Sequence, residues 1–244
     1  MPRKKSAPRD RSATAMLSDI KTSVDDPVLL ERRRRQITAA AIHAFRKLGF
    51  HPATIRDVAK RAKVSVGLIY QYVGDKEDLL LMALVEGLRC YEIGIPKAIE
   101  REPHPLNRFW IAVSTYCRVQ GSPAYATVLA YRNTACLRKE RRDLIKQLET
   151  NTNELLGKCI RDCIDGGLFK PETDVDLFTY QLVMFCHTWT LKAWYFAPRM
   201  SLDEYLERGL SLNLRAVVTP KGARELRRIG RWRTEGDAAT QALQ

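Results

Sequence analysis

The sequence predicts an all-α protein, with an N-terminal domain of three helices that contains a helix-turn-helix and a larger helical-bundle domain after it. Three observations indicate this fold class. From Leu29 onward the apolar residues recur at intervals of three and four, the spacing of one helix face. Capping residues and helix-stopping Gly or Pro residues separate these stretches. No convincing run alternates apolar and polar residues as a half-buried strand would.

Composition divides the 244 residues into four parts. Residues 1–28 mix Pro, Ser, Thr, Arg and Asp without periodicity, which predicts a disordered basic tail. The helix-turn-helix domain is predicted at 29–80, the helical regulatory domain at 81–219, and a flexible basic tail at 220–244. Basic residues outnumber acidic ones by 11 to 5 in 31–80, but only by 18 to 16 in 81–219. A basic excess concentrated in one small domain indicates a surface that binds a polyanion.

The first helix is predicted to run from Leu29 to a stop at Gly49, with one apolar face. Four consecutive arginines lie near its start. They form either a solvated helix face or a set of phosphate contacts, for which Arg32 and Arg33 are the candidates.

Two short helices follow, joined by a tight turn. Thr54 is placed to cap the first, with Asp57 positioned to complete a capping box. The turn Lys63–Ser65 leads to a helix at Val66–Tyr72, which Gly74 breaks. Such a pair of helices can place its second member in the major groove of DNA.

This stretch resembles the N-terminal signature of the tetracycline-repressor (TetR) family of bacterial transcription regulators. The matching positions are Thr54, Ile55, Val58, Ala59, Ala62, Val64, Ser65, Gly67, Tyr70, Tyr72, Lys76, Glu77 and Leu79. The sequence departs from the pattern at Lys63, where Gly is usual, and at Val73, where Phe is common. Lys63 either adopts a left-handed conformation, at a cost of ~1 kcal/mol, or the turn has a different geometry.

The predicted DNA-contacting residues surround the second of the two short helices. Ser65 caps the helix end that points towards phosphate, Gly67 permits close backbone approach, and Gln71 can pair with adenine. The resemblance implies that Thr54 and Lys76 contact the DNA backbone. Ordinary capping and core packing are the alternative roles. The full set is Arg32, Arg33, Thr54, Ser65, Val66, Gly67, Leu68, Tyr70, Gln71, Tyr72 and Lys76.

Six further helices are predicted, each bounded by a cap, a glycine or a proline. They cover 76–92, 105–120, 122–137, 140–165, 174–196 and 201–218. The resemblance implies a homodimer, formed through the last two of these helices, that binds a pseudo-palindromic operator. The spacing also suits core packing within one chain, and the candidate residues are Val183, His187, Leu191, Leu206, Leu210 and Leu214.

Aromatic and polarisable residues concentrate in the middle helices, and a cavity lined by them would suit a hydrophobic small molecule. Arg132 would meet an anionic group of that ligand or form a structural ion pair. Residues 187–210 resemble those of family members that regulate fatty-acid, steroid or other acyl-CoA catabolism, which implies an effector of that class. The predicted ligand contacts are Trp110, Tyr116, Tyr125, Leu129, Arg132, Asn133, Met184, His187, Thr188 and Trp189.

The sequence leaves two other functions open. Cys159 and Cys163 share a helix face and could serve a metal- or redox-sensing regulator, although a zinc site needs about four ligands. Cys186 and His187 are neighbours that could suggest a small helical enzyme, but adjacent helical side chains point in different directions. No catalytic residue, metal ligand set or cofactor is predicted. With neither a signal peptide nor an apolar run of ~20 residues, we expect a cytoplasmic protein. The resemblance implies that it is bacterial and associated with the nucleoid when bound.

Overall fold

The computed structural model describes residues 20, 22–121 and 133–230, in which the chain is almost entirely helical. A 3-10 turn at Thr134–Cys136 and an isolated bridge between Phe169 and Val218 accompany the helices. The α-helices are α1 Pro27–Leu48, α2 Ile55–Ala62, α3 Val66–Tyr72, α4 Lys76–Ile99, α5 Pro105–Gly121, α6 Lys139–Asp165, α7 Val175–Leu191, α8 Ala193–Phe196, α9 Leu202–Val217 and α10 Pro220–Arg228. None of these helices is long and apolar enough to span a membrane.

The chain folds into two compact units, divided after Arg89 in α4 and after Leu148 in α6. The first unit contains α1 to α3, the beginning of α4 and the described residues from Asn133 to Leu148. The second contains the remaining described residues. The predicted domain boundary after residue 80 therefore differs from the division by contacts. Ion pairs between the beginnings of α4 and α6 account for the added segment.

The end of the predicted N-terminal tail is part of the first unit. Asp26 caps α1 by accepting hydrogen bonds from two backbone amides, and Pro27 is the first residue of the helix. Ile20 is 2% exposed, and its carbonyl oxygen accepts a hydrogen bond from Arg34 at 2.8 Å. The prediction of disorder to residue 28 was therefore wrong for these residues, because the Asp-Pro pair is a helix start.

The second unit is built around aromatic side chains. The ring of Phe109 packs edge-on against Phe169 at 5.2 Å between centroids, and both are fully buried.

The single helix predicted at 174–196 is interrupted at Lys192, which leaves the helical conformation and separates α7 from α8.

A helix occupies the beginning of the predicted C-terminal tail. The Thr219 side chain accepts a hydrogen bond from the Gly222 amide at 3.0 Å, and Pro220 is the first helical residue of α10. Leu226 on this helix is fully buried. The Thr-Pro pair was interpreted as a stop for α9, but it also starts α10. The prediction of a flexible tail was wrong for Pro220–Arg228, and residues 231–244 lie outside the described part of the chain.

The residues proposed for dimer contact belong to the core of the second unit. Val183, Leu206, Leu210 and Leu214 are each at most 3% exposed, and His187 is 5% exposed. Leu191 is half-buried. Of the two roles open for these positions, this burial favours core packing within one chain, except at Leu191.

Candidate nucleic-acid interface

The capping box at Thr54 fixes the entry to α2. The Thr54 side chain accepts a hydrogen bond from the Asp57 amide at 3.2 Å, and the Asp57 carboxylate accepts from the Thr54 amide at 2.8 Å. The Thr54 hydroxyl also donates to this carboxylate at 2.6 Å, which lowers the pKa of Asp57. The predicted capping box is confirmed. In this arrangement the hydroxyl proton points to Asp57, so a phosphate contact would require the hydroxyl to rotate and donate that proton to a phosphate oxygen.

The turn between α2 and α3 contains a left-handed lysine. Lys63 has φ 55° and ψ 46°, and it is the non-glycine residue with positive φ in the part of the chain that the structure describes. Its amide donates to the carbonyl oxygens of Ala59 and Lys60, which ends α2. Of the two geometries considered for this departure from the family pattern, the left-handed one is present.

Helix α3 has a buried face and an exposed face. Ser65 caps it by accepting a hydrogen bond from the Leu68 amide at 3.1 Å. Ile69 and Tyr72 face the core, being 0% and 2% exposed. Tyr70, which is 53% exposed, lies with the exposed residues Gly67 and Gln71 on the other side. The structure thus brings the predicted groove-facing residues together, except Tyr72, whose burial assigns it to core packing.

The carbonyl oxygen of Gln71 is held by the chain segment before α1. The Thr22 hydroxyl donates to it at 2.9 Å and the Ser23 amide at 3.0 Å. Sequence reasoning missed this contact because the segment is polar and lacks helical periodicity. Apart from the isolated apolar residue at Ile20, nothing in the sequence signals that this segment docks on the domain.

Cationic side chains border this surface in different ways. Arg32 is exposed, whereas Arg33 donates to Gln36 at 2.8 Å. Arg34, which was not in the predicted set, is turned inward and is 8% exposed. The Lys76 ammonium donates to the carbonyl oxygen of His51 at 2.9 Å, and partial burial lowers its pKa. An ammonium has three donors, so this bond leaves others for phosphate. Exposed cations that the prediction omitted, although their charge is evident in the sequence, are Arg56, Lys60, Arg61 and Lys63.

The predicted ligand contacts that the structure describes differ in their surroundings. Trp110 and Tyr116 are buried in the second unit, but Met184 on the same unit is 48% exposed. Asn133 is buried in the first unit. Thr188 donates to the Met184 carbonyl oxygen at 2.8 Å, and the half-buried Trp189 packs on Tyr205. Tyr125, Leu129 and Arg132 lie outside the described residues.

Two of these residues do meet in a buried polar cluster. The Tyr116 hydroxyl lies 3.3 Å from Nε2 of His187 and 3.5 Å from the side-chain oxygen of Asn153. Burial lowers the pKa of His187 to about 4, so the imidazole is neutral at physiological pH. Asn153 is 3% exposed and was missed because it lies in a polar stretch of α6. The apolar stripe through Leu148 and Leu156 could have indicated its inward direction.

The cysteines considered for sensing or catalysis are buried thiols. Burial raises the pKa of Cys159 to about 11, and it raises the pKa values of Cys163 and Cys186 as well. A nucleophile or metal ligand requires the thiolate, which these environments disfavour. No group of three or more possible metal ligands occurs among the described residues.

Comparison with known proteins agrees with the geometry of the helix-turn-helix. The profile of the bacterial regulatory proteins of the tetR family matches residues 37–83. The HTH-type transcriptional regulator HbdR of Aromatoleum sp. (strain CIB) is 46% identical over 212 residues, which cover 87% of this chain and 92% of that protein.

Solved structures share the fold. The structure of AibR in complex with isovaleryl coenzyme A and operator DNA superposes with a TM-score of 0.64 at 15% identity, covering 74% of this chain and 97% of that one. The transcriptional regulator FadR from Bacillus subtilis in complex with stearoyl-CoA superposes with a TM-score of 0.58 at 20% identity, covering 71% and 95%.

Proposed function

We propose a specific function for this chain, which belongs to the TetR family of bacterial regulatory proteins. The relatives that it matches are helix-turn-helix regulators and not enzymes. It acts as a repressor in the bacterial cytoplasm, binds a pseudo-palindromic operator as a homodimer, and leaves it when a hydrophobic small molecule binds. The observation that carries the proposal is the exposed face of α3, with Tyr70 and Gln71, on a unit rich in basic residues.

DNA recognition by this face follows from the chemistry of its residues. The capped beginning of α3 directs backbone amides and the positive helix end towards phosphate. A side chain at Gly67 would lie in open space apart from the Ser65 hydroxyl, so the glycine keeps the helix surface low enough for the duplex to approach. The Gln71 amide is suited to adenine, and the Tyr70 hydroxyl to a phosphate oxygen. The exposed cations of α1 and α2 add sequence-independent affinity.

A homodimer would cover the exposed apolar residues of α7 and α9. Leu177, Tyr180 and Met184 follow one another at helical spacing on α7 and are 59%, 47% and 48% exposed. Leu212 on α9 is 67% exposed, and α9 packs on α7 through the stacked rings of Phe185 and Tyr205. Large apolar side chains grouped in this way are typical of an interface. We assign the dimer contact to these four residues in place of the buried set.

An acyl-CoA is the effector class that the comparisons favour. AibR was solved with isovaleryl coenzyme A and FadR of Bacillus subtilis with stearoyl-CoA. Within this chain, the polar cluster of Tyr116, Asn153 and His187 is buried among apolar residues of the second unit. Such a neutral cluster suits a polar group on an otherwise apolar ligand. A ligand that binds better to a conformation unable to engage both half-sites would weaken operator binding by the difference in affinity.

The effector proposal is tested by titrating a fluorescent operator complex with isovaleryl-CoA, stearoyl-CoA and, as control, coenzyme A alone. At least one acyl-CoA is expected to release the DNA, whereas coenzyme A does not. Absence of release by every acyl-CoA would contradict the effector class, while leaving operator binding intact. An in vitro transcription assay from the same operator tests repression, and activation by the unliganded protein would contradict it.

The dimer proposal is tested by sedimentation of Tyr180→Asp and Leu212→Asp. Both variants are expected to shift to monomer at concentrations where the wild type is dimeric, because an interfacial carboxylate would lose its water. The matched control is Ile93→Asp, at an apolar residue that is 56% exposed but lies on α4. Unchanged dimers in both interface variants would show that another surface is used.

A further inference from the structure

Two arginines, one just before α6 and one in its first turn, form ion pairs with acidic residues just before and within the first turn of α4, inside the first unit. The Arg138 guanidinium lies 2.7 Å from one carboxylate oxygen of Glu77, and its backbone amide donates to the other at 2.7 Å. Arg138 also pairs with Asp75, and Arg141 pairs with Asp78. A second nitrogen of Arg141 lies 3.6 Å from Asp75 and 3.5 Å from Glu77.

Asp78 is the buried centre of this cluster, with 4% of its side chain exposed. One of its carboxylate oxygens accepts hydrogen bonds from the amides of Gly74 and Asp75, at 2.7 and 3.2 Å. The other accepts from Arg141. The same carboxylate therefore connects Arg141 to the turn that follows α3.

A carboxylate in this position depends on nearby cations, here the directly paired Arg141 and the charge of the buried Arg34. Burying a charge costs free energy unless it is paired and hydrogen-bonded, and removing one partner of a buried pair is strongly destabilising. Without Arg141, Asp78 would lose this ion pair and would be drawn towards solvent. That movement would weaken its hydrogen bonds to the amides of Gly74 and Asp75.

The turn matters because α3 is short. It has seven residues, too few to be stable alone, so its position is set by its contacts at both ends. Ser65 caps its beginning, while Val73, Gly74 and Asp75 connect its end to α4. A shift of this connection would move the exposed side chains of Tyr70 and Gln71.

We infer that Arg141 is a positioning residue for DNA recognition: through Asp78, from which it is 63 residues away in sequence, it holds the turn that ends α3. The inference rests on the proposed function, since it concerns the same helix. It adds a residue remote in sequence to the determinants of operator affinity.

The test starts from a duplex that the wild-type protein selects from a random pool. Arg141→Gln is then compared with Arg142→Gln, which removes the same charge from the next position of α6, outside the cluster. Operator affinity is expected to fall at least about tenfold for Arg141→Gln and to change less than about twofold for the control. Failure of the wild type to select any duplex would overturn the proposed function as well. Affinity of Arg141→Gln equal to that of the control would overturn only the inference.

Salt dependence separates positioning from direct phosphate contact. The charge of Arg141 is engaged by Asp78, so the slope of affinity against salt should equal that of the wild type. A phosphate contact at Arg141 would instead reduce the slope by about 0.9. That result would contradict the positioning role.

Hydrogen exchange separates a local effect from general unfolding. Arg141→Gln should accelerate exchange at the amides of Gly74 and Asp75 while leaving the centre of α1 protected. The double variant Asp78→Asn/Arg141→Gln should bind no more weakly than the weaker single variant. If Arg141→Gln does not fold, Arg141→Lys replaces it in the test, because lysine keeps the positive charge but lacks the forked guanidinium group. It should show the same faster exchange at the amides of Gly74 and Asp75, with an operator affinity between those expected for Arg141→Gln and for the wild type. Unchanged exchange at these two amides in a folded variant would refute the inference.

Discussion

The hydroxyl of Thr22 donates a hydrogen bond to the backbone carbonyl oxygen of Gln71 at 2.9 Å. This bond ties the segment before α1 to the end of the helix that we propose to enter the major groove. The neighbouring Ser23 amide donates to the same oxygen at 3.0 Å, so two donors satisfy a carbonyl that the end of α3 leaves without a helical partner.

Replacing Thr22 tests whether this bond supports DNA binding. Thr22→Val keeps the shape and removes the hydroxyl, and we expect operator affinity to fall about three- to tenfold, since one hydrogen bond contributes about 0.5–1.5 kcal/mol. Thr22→Ser keeps the hydroxyl and should bind as the wild type does. Fluorescence anisotropy measures both, and equal affinity of the Val and Ser variants would show that the bond does not matter for recognition.

Replacing Lys63 tests the strain in the turn between α2 and α3. The left-handed conformation costs a non-glycine residue about 1–2 kcal/mol, whereas glycine adds about 0.5–1 kcal/mol of unfolded-state entropy. Lys63→Gly should therefore raise the free energy of unfolding by up to about 1.5 kcal/mol. The control Lys60→Gly, inside α2, should lower it by about 1 kcal/mol. Chemical denaturation gives both values, and a destabilised Lys63→Gly would mean that the lysine makes a compensating contact.

Truncating Leu226 tests whether α10 is part of the second unit. The side chain is fully buried, and Gly222 on the same helix lies so close to the Leu168 carbonyl oxygen that a Cβ would clash with it. Leu226→Ala should lower the free energy of unfolding by about 2–5 kcal/mol. Arg224→Ala, at an exposed position of the same helix, should change it by less than about 0.5 kcal/mol. Equal free energies of unfolding for the two variants would show that α10 is not packed as part of the second unit.

The buried His187 predicts a pH dependence of stability. Its pKa is lowered from 6.5 to about 4 in the folded protein, so the unfolded chain binds more protons between these values. The stabilising contribution is complete above pH 6.5 and is lost as the pH falls towards 4. Between pH 7 and pH 5 this group alone should reduce the free energy of unfolding by about 2 kcal/mol.

Two variants isolate this titration. As the pH falls from 7 to 5, the free energy of unfolding of His187→Asn should decline less than that of the wild type. His43→Asn, at an exposed histidine of α1, should follow the wild-type curve. Denaturation at several pH values provides the comparison. Parallel curves for the wild type and His187→Asn would contradict the buried neutral imidazole.

Local chemistry accounts for what could be predicted from the sequence. The caps at Thr54 and Ser65 involve residues three positions away, and the groove-facing side of α3 follows from its apolar spacing. The left-handed Lys63 was one of two local alternatives. Thr219-Pro220 shows the limit of such signals, because the same pair ends one helix and begins the next.

Contacts between distant segments could not be predicted. Thr22 binds a carbonyl oxygen 49 residues away, and Arg141 pairs with Asp78 across 63 residues. The surface of α7 was also misjudged. This helix is apolar around most of its circumference, so periodicity could not decide whether Val183 or Met184 faces the core. In the structure Val183 is buried and Met184 is exposed.

The central claim, that the exposed face of α3 reads DNA, is tested most directly by the double variant Tyr70→Ala/Gln71→Ala. Its affinity for the selected operator is measured by fluorescence anisotropy, with Ile93→Ala as an exposed control on α4. Two lost contacts of about 1–3 kcal/mol each predict at least about a 30-fold weaker complex, with the helical circular dichroism spectrum unchanged. A folded double variant that binds the operator as tightly as the wild type would contradict the assignment of this helix to DNA recognition.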